Sequence, residues 1–237
     1  MTDRNPLGQA RLGILMLETR FPRILGDIGN PDTWPFPVAF KVVRGASARR
    51  VVVDRADGLI DAFVAAAEEM VREGADGIAT TCGFLALYQR ELAARLSVPV
   101  ATSSLMQVPL VQALLPPGKR VGVLTVNAAA LTPAHLVPVC APADTPVMGT
   151  EGGSEFTRVF LGDAPTLDVA AAAADVIAAG EALVRRHPEV GAIVLECTNM
   201  VPYAARLRAH LGRPVYDIYS FLTWFHAGLR PRDFGAV

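Results

Sequence analysis

One short stretch is written twice in this chain. Asp76-Gly-Ile-Ala-Thr-Thr-Cys82-Gly-Phe84 and Gly191-Ala-Ile-Val-Leu-Glu-Cys197-Thr-Asn-Met200 each read as a buried strand that ends on a cysteine and then turns into a helix. The cysteines lie 197 − 82 = 115 positions apart, and that offset also carries Tyr88 onto Tyr203, Leu92 onto Leu207, Leu96 onto Leu211 and Pro99-Val100 onto Pro214-Val215. A second echo, at a slightly different offset, pairs Arg11-Leu-Gly-Ile-Leu15 with Arg120-Val-Gly-Val-Leu124. Self-similarity of this kind means one supersecondary unit used twice.

The unit is α/β. Arg11 to Glu18 is an apolar run of the type covered on both faces of a sheet, Val38 to Val43 is a second strand, and Asp57 to Glu73 has apolar residues three and four apart before Gly74 closes it as a helix. After Cys82 the pattern gives a helix over 85–96, a short strand at 98–102 and a helix over 104–115. Pro116-Pro-Gly118 marks the break between the halves. The second half repeats the plan with a strand at 120–126, a short strand near 147–150, an Ala-rich helix over about 167–186, the Cys197 strand, a helix over 202–211 and a strand at 214–217. Strands alternating with helices at these lengths imply two pseudo-symmetric lobes, each a parallel sheet flanked by helices. The lobes are 1–116 and 117–218, with the closing helix at 219–230 free to pack back on the first. In open parallel sheets, ligands bind beyond the carboxyl ends of the strands. Two facing halves would therefore put two thiols around one cleft.

Composition narrows the partners. With 22 basic and 23 acidic residues the net charge is −1, which gives no electrostatic reason to expect nucleic acid or an anionic membrane. The first apolar run is too short for a signal-peptide core or a membrane span, so a cytoplasmic protein is expected. Three cysteines form no disulfide framework, and no Cys-x-x-Cys or His-x-x-x-His spacing suggests a metal. Neither a Gly-x-Gly-x-x-Gly nor a phosphate-binding glycine loop follows the opening strands, so a nucleotide cofactor has no support. Cys140, in the run Pro138-Val-Cys-Ala-Pro142 with no counterpart in the first half, reads as structural.

Thr80-Thr-Cys82-Gly-Phe84 and Leu195-Glu-Cys197-Thr-Asn-Met200, in two α/β halves at this separation, resemble the aspartate/glutamate racemase superfamily, which includes hydantoin racemases, maleate isomerases and arylmalonate decarboxylase. The resemblance covers almost the whole chain. It implies a cofactor-independent isomerase, a racemase or epimerase, acting on a small carboxylate or amino-acid-like molecule, with the site between the lobes. Cys82 and Cys197 take its two catalytic positions, and Thr198 the hydroxyl position after the second. Two departures stand out. Gly83-Phe84 and Thr198-Asn199 replace the Asn-Thr/Ser and Thr-His usual in amino-acid racemases, so the polar grip on an α-amino acid is thinner.

The chemistry explains why two thiols would be needed. Removing a proton from a stereocentre leaves a planar carbanion, and inversion requires a proton from the other face. One base cannot reach both faces. Helix starts after each cysteine are expected to lower the thiol pKa and to offer N–H groups to a carboxylate. Thr81, Gly83, Phe84, Thr125, Asn127, Thr198 and Asn199 make up the candidate substrate-binding set. Alternation along the strand is expected to turn Glu196 away from the cleft, towards a cation or a backbone N–H. The Pro- and Gly-rich segment from Thr19 to Pro37 is expected to cap the cleft, with Trp34 and Phe36 as apolar cover or as pins for the loop. Lys41 and Arg44 are weaker candidates for meeting a carboxylate. Other readings stay open: a cis-trans isomerase or one-cysteine decarboxylase on the same scaffold, or a two-lobed metabolite binder without catalysis. Substrate and homo-oligomeric state are not legible.

Overall fold

The computed structural model describes residues 10–231 and 235. The first half builds a parallel sheet from β1 (Leu12–Leu17), β2 (Val38–Val43), β3 (Gly77–Thr80) and β4 (Val100–Ala101), ordered β2-β1-β3-β4. The second half repeats the arrangement with β5 (Arg120–Thr125), β6 (Val147–Gly149), β7 (Val190–Leu195) and β8 (Val215–Tyr216), ordered β6-β5-β7-β8. Every pairing is parallel. The helices are α1 (Ala48–Val52), α2 (Ile60–Arg72), α3 (Gln89–Arg95), α4 (Val108–Leu114), α5 (Pro133–Leu136), α6 (Phe156–Phe160), α7 (Val169–Arg186), α8 (Ala204–Leu211) and α9 (Ile218–Leu229).

Alternation along β1 assigns its two faces. Leu12 and Ile14 point to one side, where they meet Ile218, Phe221 and Leu222 of α9 together with Ile28 and Trp34. Leu15 and Leu17 point to the other, into the large core that contains Phe63, Ala67 and Met70 of α2. Each fully buried Leu or Ile here adds about 2 kcal/mol of hydrophobic stabilisation before the entropy of ordering it is counted. In the second sheet Gly122 lies against Leu183 of α7, and the opposite side receives α4, whose Gln112 accepts the backbone N–H of Val121 at 2.9 Å.

The halves are therefore interlocked. The helix that follows β4 packs on the second sheet, and the helix that follows β8 returns to the first. Gln107 ties the two crossings by donating to the Asp217 carbonyl at 2.9 Å. This exchange holds the carboxyl ends of both sheets against each other.

The pattern predicts one continuous helix after each cysteine and another from Ser104. Each is instead a 3-10 turn that passes into an α-helix: Gly83–Tyr88 before α3, Ser104–Gln107 before α4 and Thr198–Tyr203 before α8. In the last of these, Pro202 has no N–H to continue an α ladder. The turn after Cys82 has no proline, and its residues do not explain its tight winding. Helices α1, α5 and α6 span five residues or fewer, too short for the 3.6-residue period to show in the sequence. No described helix is long and apolar enough to cross a membrane.

Candidate active site

The two cysteine motifs meet across the lobes through a pair of equivalent contacts. The Thr198 hydroxyl donates to the Thr81 carbonyl at 2.8 Å, so the residue after the second cysteine touches the residue before the first. In the reverse direction, Gly83 lies against the carbonyl and side-chain carboxyl of Glu196, and a Cβ at that position would overlap both. Glycine is required there by close approach rather than by a left-handed backbone. The Ser104 hydroxyl also donates to the Leu195 carbonyl. Cys82 and Cys197 sit between these contacts, each 8% exposed, and both line one small cavity beyond the strand ends. Its walls are largely apolar: Leu17, Phe21, Ala48, Val52, Phe84, Val126 and Phe160.

Of the residues singled out from the sequence, Thr81, Cys82, Gly83, Phe84, Cys197, Thr198 and Asn199 line this cavity. Thr125 and Asn127 do not. Thr125 is fully buried behind it and donates its hydroxyl to Glu196 Oε2 at 2.7 Å, while the Asn127 side chain accepts the Ala130 N–H at 3.1 Å. Both follow from the end of β5: Thr125 is the last ladder residue, and Asn127 is already in the next turn. Lys41 is ion-paired with Glu69 and Arg44 is exposed, and neither reaches the cavity. Cys140 is exposed, in a left-handed turn outside the site.

The 19–37 segment supplies Phe21 and Arg23 to the cavity wall. Arg20 of this segment bonds Asp163 of the second lobe at 3.0 Å, and Phe21 meets Phe160 edge-on at 5.0 Å between centroids. Trp34 and Phe36 pin the loop instead of covering the cavity. The Trp34 indole donates to the Ile28 carbonyl at 3.0 Å and stacks on Tyr219, and Phe36 stacks on His226. Arg23 was not legible as a site residue, because nothing in its local sequence separates it from a surface arginine.

Glu196 does not turn away. Alternation holds only inside the ladder, which for β7 ends at Leu195, and the chain bends so that Glu196 and Cys197 both line the cavity. The carboxyl group is wholly buried, takes one hydrogen bond from Thr125, and leaves Oε1 with no partner. Burial pushes its pKa up to about 8, against the smaller pull of the Thr125 hydroxyl. It is neutral through most of the acidic range.

The thiols do not have the lowered pKa that helix starts suggest. Burial raises both, the Glu196 carboxylate adds to the rise, and the backbone N–H groups of Phe84 and Asn199, directed at Cys82 and Cys197 respectively, oppose it without cancelling it. Both cysteines are therefore thiols. Their surroundings differ in one respect. The Asn199 amide donates from Nδ2 to Asp27 Oδ2 at 2.6 Å, which turns its Oδ1 towards Cys197 Sγ at 3.7 Å. Asp27 is held in turn by Arg23 Nη1 at 2.9 Å and the Gly29 N–H at 2.7 Å. A carbonyl-type oxygen accepts from S–H and repels S⁻, so this chain keeps Cys197 protonated.

The buried carboxyl also makes a stability prediction. The native pKa of Glu196 lies above its unfolded value, so between about pH 4.5 and 8 the native state binds more protons than the unfolded chain, and stability falls as pH rises. Glu196→Gln removes that slope. Unfolding free energies from urea titrations at pH 5 to 9 are expected to decline for the parent by a few kcal/mol from this group and to run flatter for the variant.

A two-lobed fold with twin cysteines at facing strand ends defines a recognisable class. The chain belongs to the Asp/Glu/Hydantoin racemase family, whose pattern it matches over residues 62–225. It is similar to a dimethylsulfoniopropionate lyase of Durusdinium sp. clade D, 27% identical over 227 residues, covering 92% of this chain and 75% of that one. It is also similar to dimethylsulfoniopropionate lyase 5 of Emiliania huxleyi (strain CCMP1516), 29% identical over 233 residues, covering 91% of this chain but 45% of that one. The chain thus spans between about half and three quarters of the length of these relatives. Among solved structures it shares its fold with arylmalonate decarboxylase (TM-score 0.61, 15% identity, 95% and 94% of the two chains) and with glutamate racemase isoform RacE1 of Bacillus anthracis (TM-score 0.57, 15% identity, 93% and 83%).

Proposed function

We propose that this chain is a cofactor-independent enzyme that removes a proton from the carbon next to a carboxylate, with Cys82 and Cys197 as acid/base groups on the two faces of that carbon. The observation that carries this reading is the pair of thiols at equivalent strand ends in one largely apolar cavity, each with a backbone N–H directed at its sulfur. Cys82 serves as the base once its own S–H proton has passed to solvent, and Cys197, protonated against Asn199, serves as the acid. The thiolate takes the proton, the C–H electron pair passes into the enolate of the carboxylate, and Cys197 returns a proton from the opposite face. The result is racemisation or epimerisation. Backbone N–H groups at the two tight turns, with the Thr81 hydroxyl, stabilise the developing charge.

A second outcome on the same machinery is favoured by the relatives that bear the name of dimethylsulfoniopropionate lyase. If the carbon beyond the carbanion carries a dimethylsulfonium group, the electron pair forms a carbon–carbon double bond and the carbon–sulfur bond breaks. Dimethyl sulfide leaves with that bond's pair, acrylate remains, and the cysteine keeps the proton. One base suffices for elimination, whereas inversion needs both.

Proton NMR in deuterated water separates these outcomes. Amino acids, hydantoins, 2-substituted dicarboxylates and dimethylsulfoniopropionate are each incubated with the protein. Exchange of the proton next to the carbonyl, with loss of optical activity or release of acrylate, is the expected result for at least one. No exchange in any of these classes would sink the proposal.

A further inference from the structure

An anion taken from water into a largely apolar enclosure is strongly disfavoured unless a charge partner with hydrogen-bond donors waits for it. Among the described residues lining the cavity, Arg23 is the one basic side chain. Its guanidinium is held on several sides. Nη1 donates to Asp27 at 2.9 Å and Nη2 to the Thr19 hydroxyl at 3.0 Å, while the Phe21 ring covers one face, 4.9 Å from the guanidinium carbon. Gly29 packs so closely that a Cβ there would come within 2.6 Å of Nη1. These contacts fix the group without exhausting it. A guanidinium carries five N–H donors, and Asp27 and Thr19 take one each. The Arg23 side chain also keeps 14% of its surface exposed, against 3% for Asp27, which does not line the cavity.

We propose that Arg23 anchors the substrate's carboxylate through the N–H groups left over from Asp27 and Thr19. The proposal rests on the reading of the site as one that deprotonates the carbon next to a carboxylate, and adds which residue holds that carboxylate. Asp27 does not compete for the remaining donors, because it already accepts from Arg23 Nη1, from the Gly29 N–H at 2.7 Å and, through Oδ2, from Asn199 Nδ2 at 2.6 Å. The same contacts link the anchor to the acid. Asp27 orients Arg23 at one end and Asn199 at the other, and Asn199 Oδ1 stands 3.7 Å from Cys197 Sγ. One buried carboxylate therefore positions both the group that grips the substrate and the group that keeps Cys197 protonated. A fixed guanidinium on the carboxylate also stabilises the negative charge that moves onto its oxygens as the enolate forms, alongside the turn N–H groups.

The test uses binding alone, so it does not depend on turnover. Isobutyrate and its neutral isostere isobutyramide are titrated separately into the full chain below pH 8, where Glu196 is largely neutral, and followed by proton–nitrogen NMR, which reads the Arg23 Nε–H signal alongside the backbone. The parent is expected to bind isobutyrate at least about tenfold more tightly than isobutyramide, and only isobutyrate should shift the Arg23 signal. Arg23→Gln should lose that preference while binding isobutyramide as the parent does, which reports that its cavity is intact. Equal or tighter binding of isobutyramide to the parent overturns the proposal, as does a Gln variant that keeps the preference or a parent that binds neither probe. Should the Gln variant fail to fold or lose isobutyramide as well, the parent's Arg23 signal decides. A carboxylate preference that leaves this signal unmoved assigns the anion to the turn N–H groups and ends the proposal. If deuterium exchange occurs on a carboxylate while the isobutyrate preference is absent, the assignment of Arg23 fails and the deprotonating site stands. The preference without exchange in any substrate class gives the reverse.

Discussion

In a racemisation, replacing either Cys82 or Cys197 by Ser lowers turnover of the true substrate by about a hundred- to ten-thousandfold, because a serine hydroxyl is not a base at working pH and general acid–base groups contribute on that order. Under racemisation the two losses are equal in kind, since each direction of the reaction uses one residue as base and the other as acid. Under elimination the residue that takes the proton is indispensable, and the other position tolerates Ser with a much smaller loss. The pair of variants therefore measures the number of bases as well as their identity. Both are expected to retain the fold, for the substitution exchanges only Sγ for a smaller hydroxyl oxygen, and near-parental urea midpoints provide the check.

Gly83→Ala is the substitution with the largest expected structural effect. The new methyl group would overlap the Glu196 backbone carbonyl and its carboxyl group, and a backbone atom at the end of a central strand cannot swing aside as a side-chain tip can. Overpacking of this type costs about 3 kcal/mol, and relief requires the two lobes to part at the point where they hold the cysteines. Activity falls with stability, because separation of 81–83 from 196–198 moves both thiols. Gly152→Ala is the control: a Cβ there meets nothing, and its stability should shift by no more than about 0.5 kcal/mol. Comparable midpoints for the two variants would mean that the lobes are not held together at Gly83.

The duplication was legible because strand ends, cysteines and helix leucines recur at one offset, and a repeated apolar pattern fixes repeated burial. That is why the order of β2-β1-β3-β4 reappears as β6-β5-β7-β8. Sequence patterns also brought out Thr81, Gly83, Phe84, Thr198 and Asn199, all neighbours of the cysteines along the chain. What they missed depends on contacts between distant segments. Arg23 reaches the cavity through a loop held by Asp27 and by the Arg20–Asp163 bridge to the other lobe. The orientation of Glu196 was misjudged because a strand rule was carried one residue past the last rung of β7. The thiol environment was misjudged for a related reason: a tight turn's N–H groups are local and visible in sequence, but they are outweighed by burial in the folded chain and by the carboxylate of Glu196, which reaches Cys82 from the other lobe and Cys197 through the misjudged orientation of its own neighbour. The packing of α4 on the second sheet likewise has no signature in that helix alone.

The most direct measurement of the central claim, that two cysteines serve opposite faces of one carbon, follows hydrogen exchange rather than product. The substrate identified by the deuterium screen is supplied with each of its two exchangeable positions, enantiomeric or enantiotopic, distinguished, and is incubated in deuterated water with the parent, Cys82→Ser and Cys197→Ser. The account predicts that the parent exchanges both positions in a racemisation, that the variant retaining Cys82 exchanges one, that the variant retaining Cys197 exchanges only the other, and that neither variant interconverts them. Full exchange and turnover at both positions by Cys82→Ser would contradict it, returning Cys82 to a buried structural residue and leaving Cys197 as the only acid/base thiol.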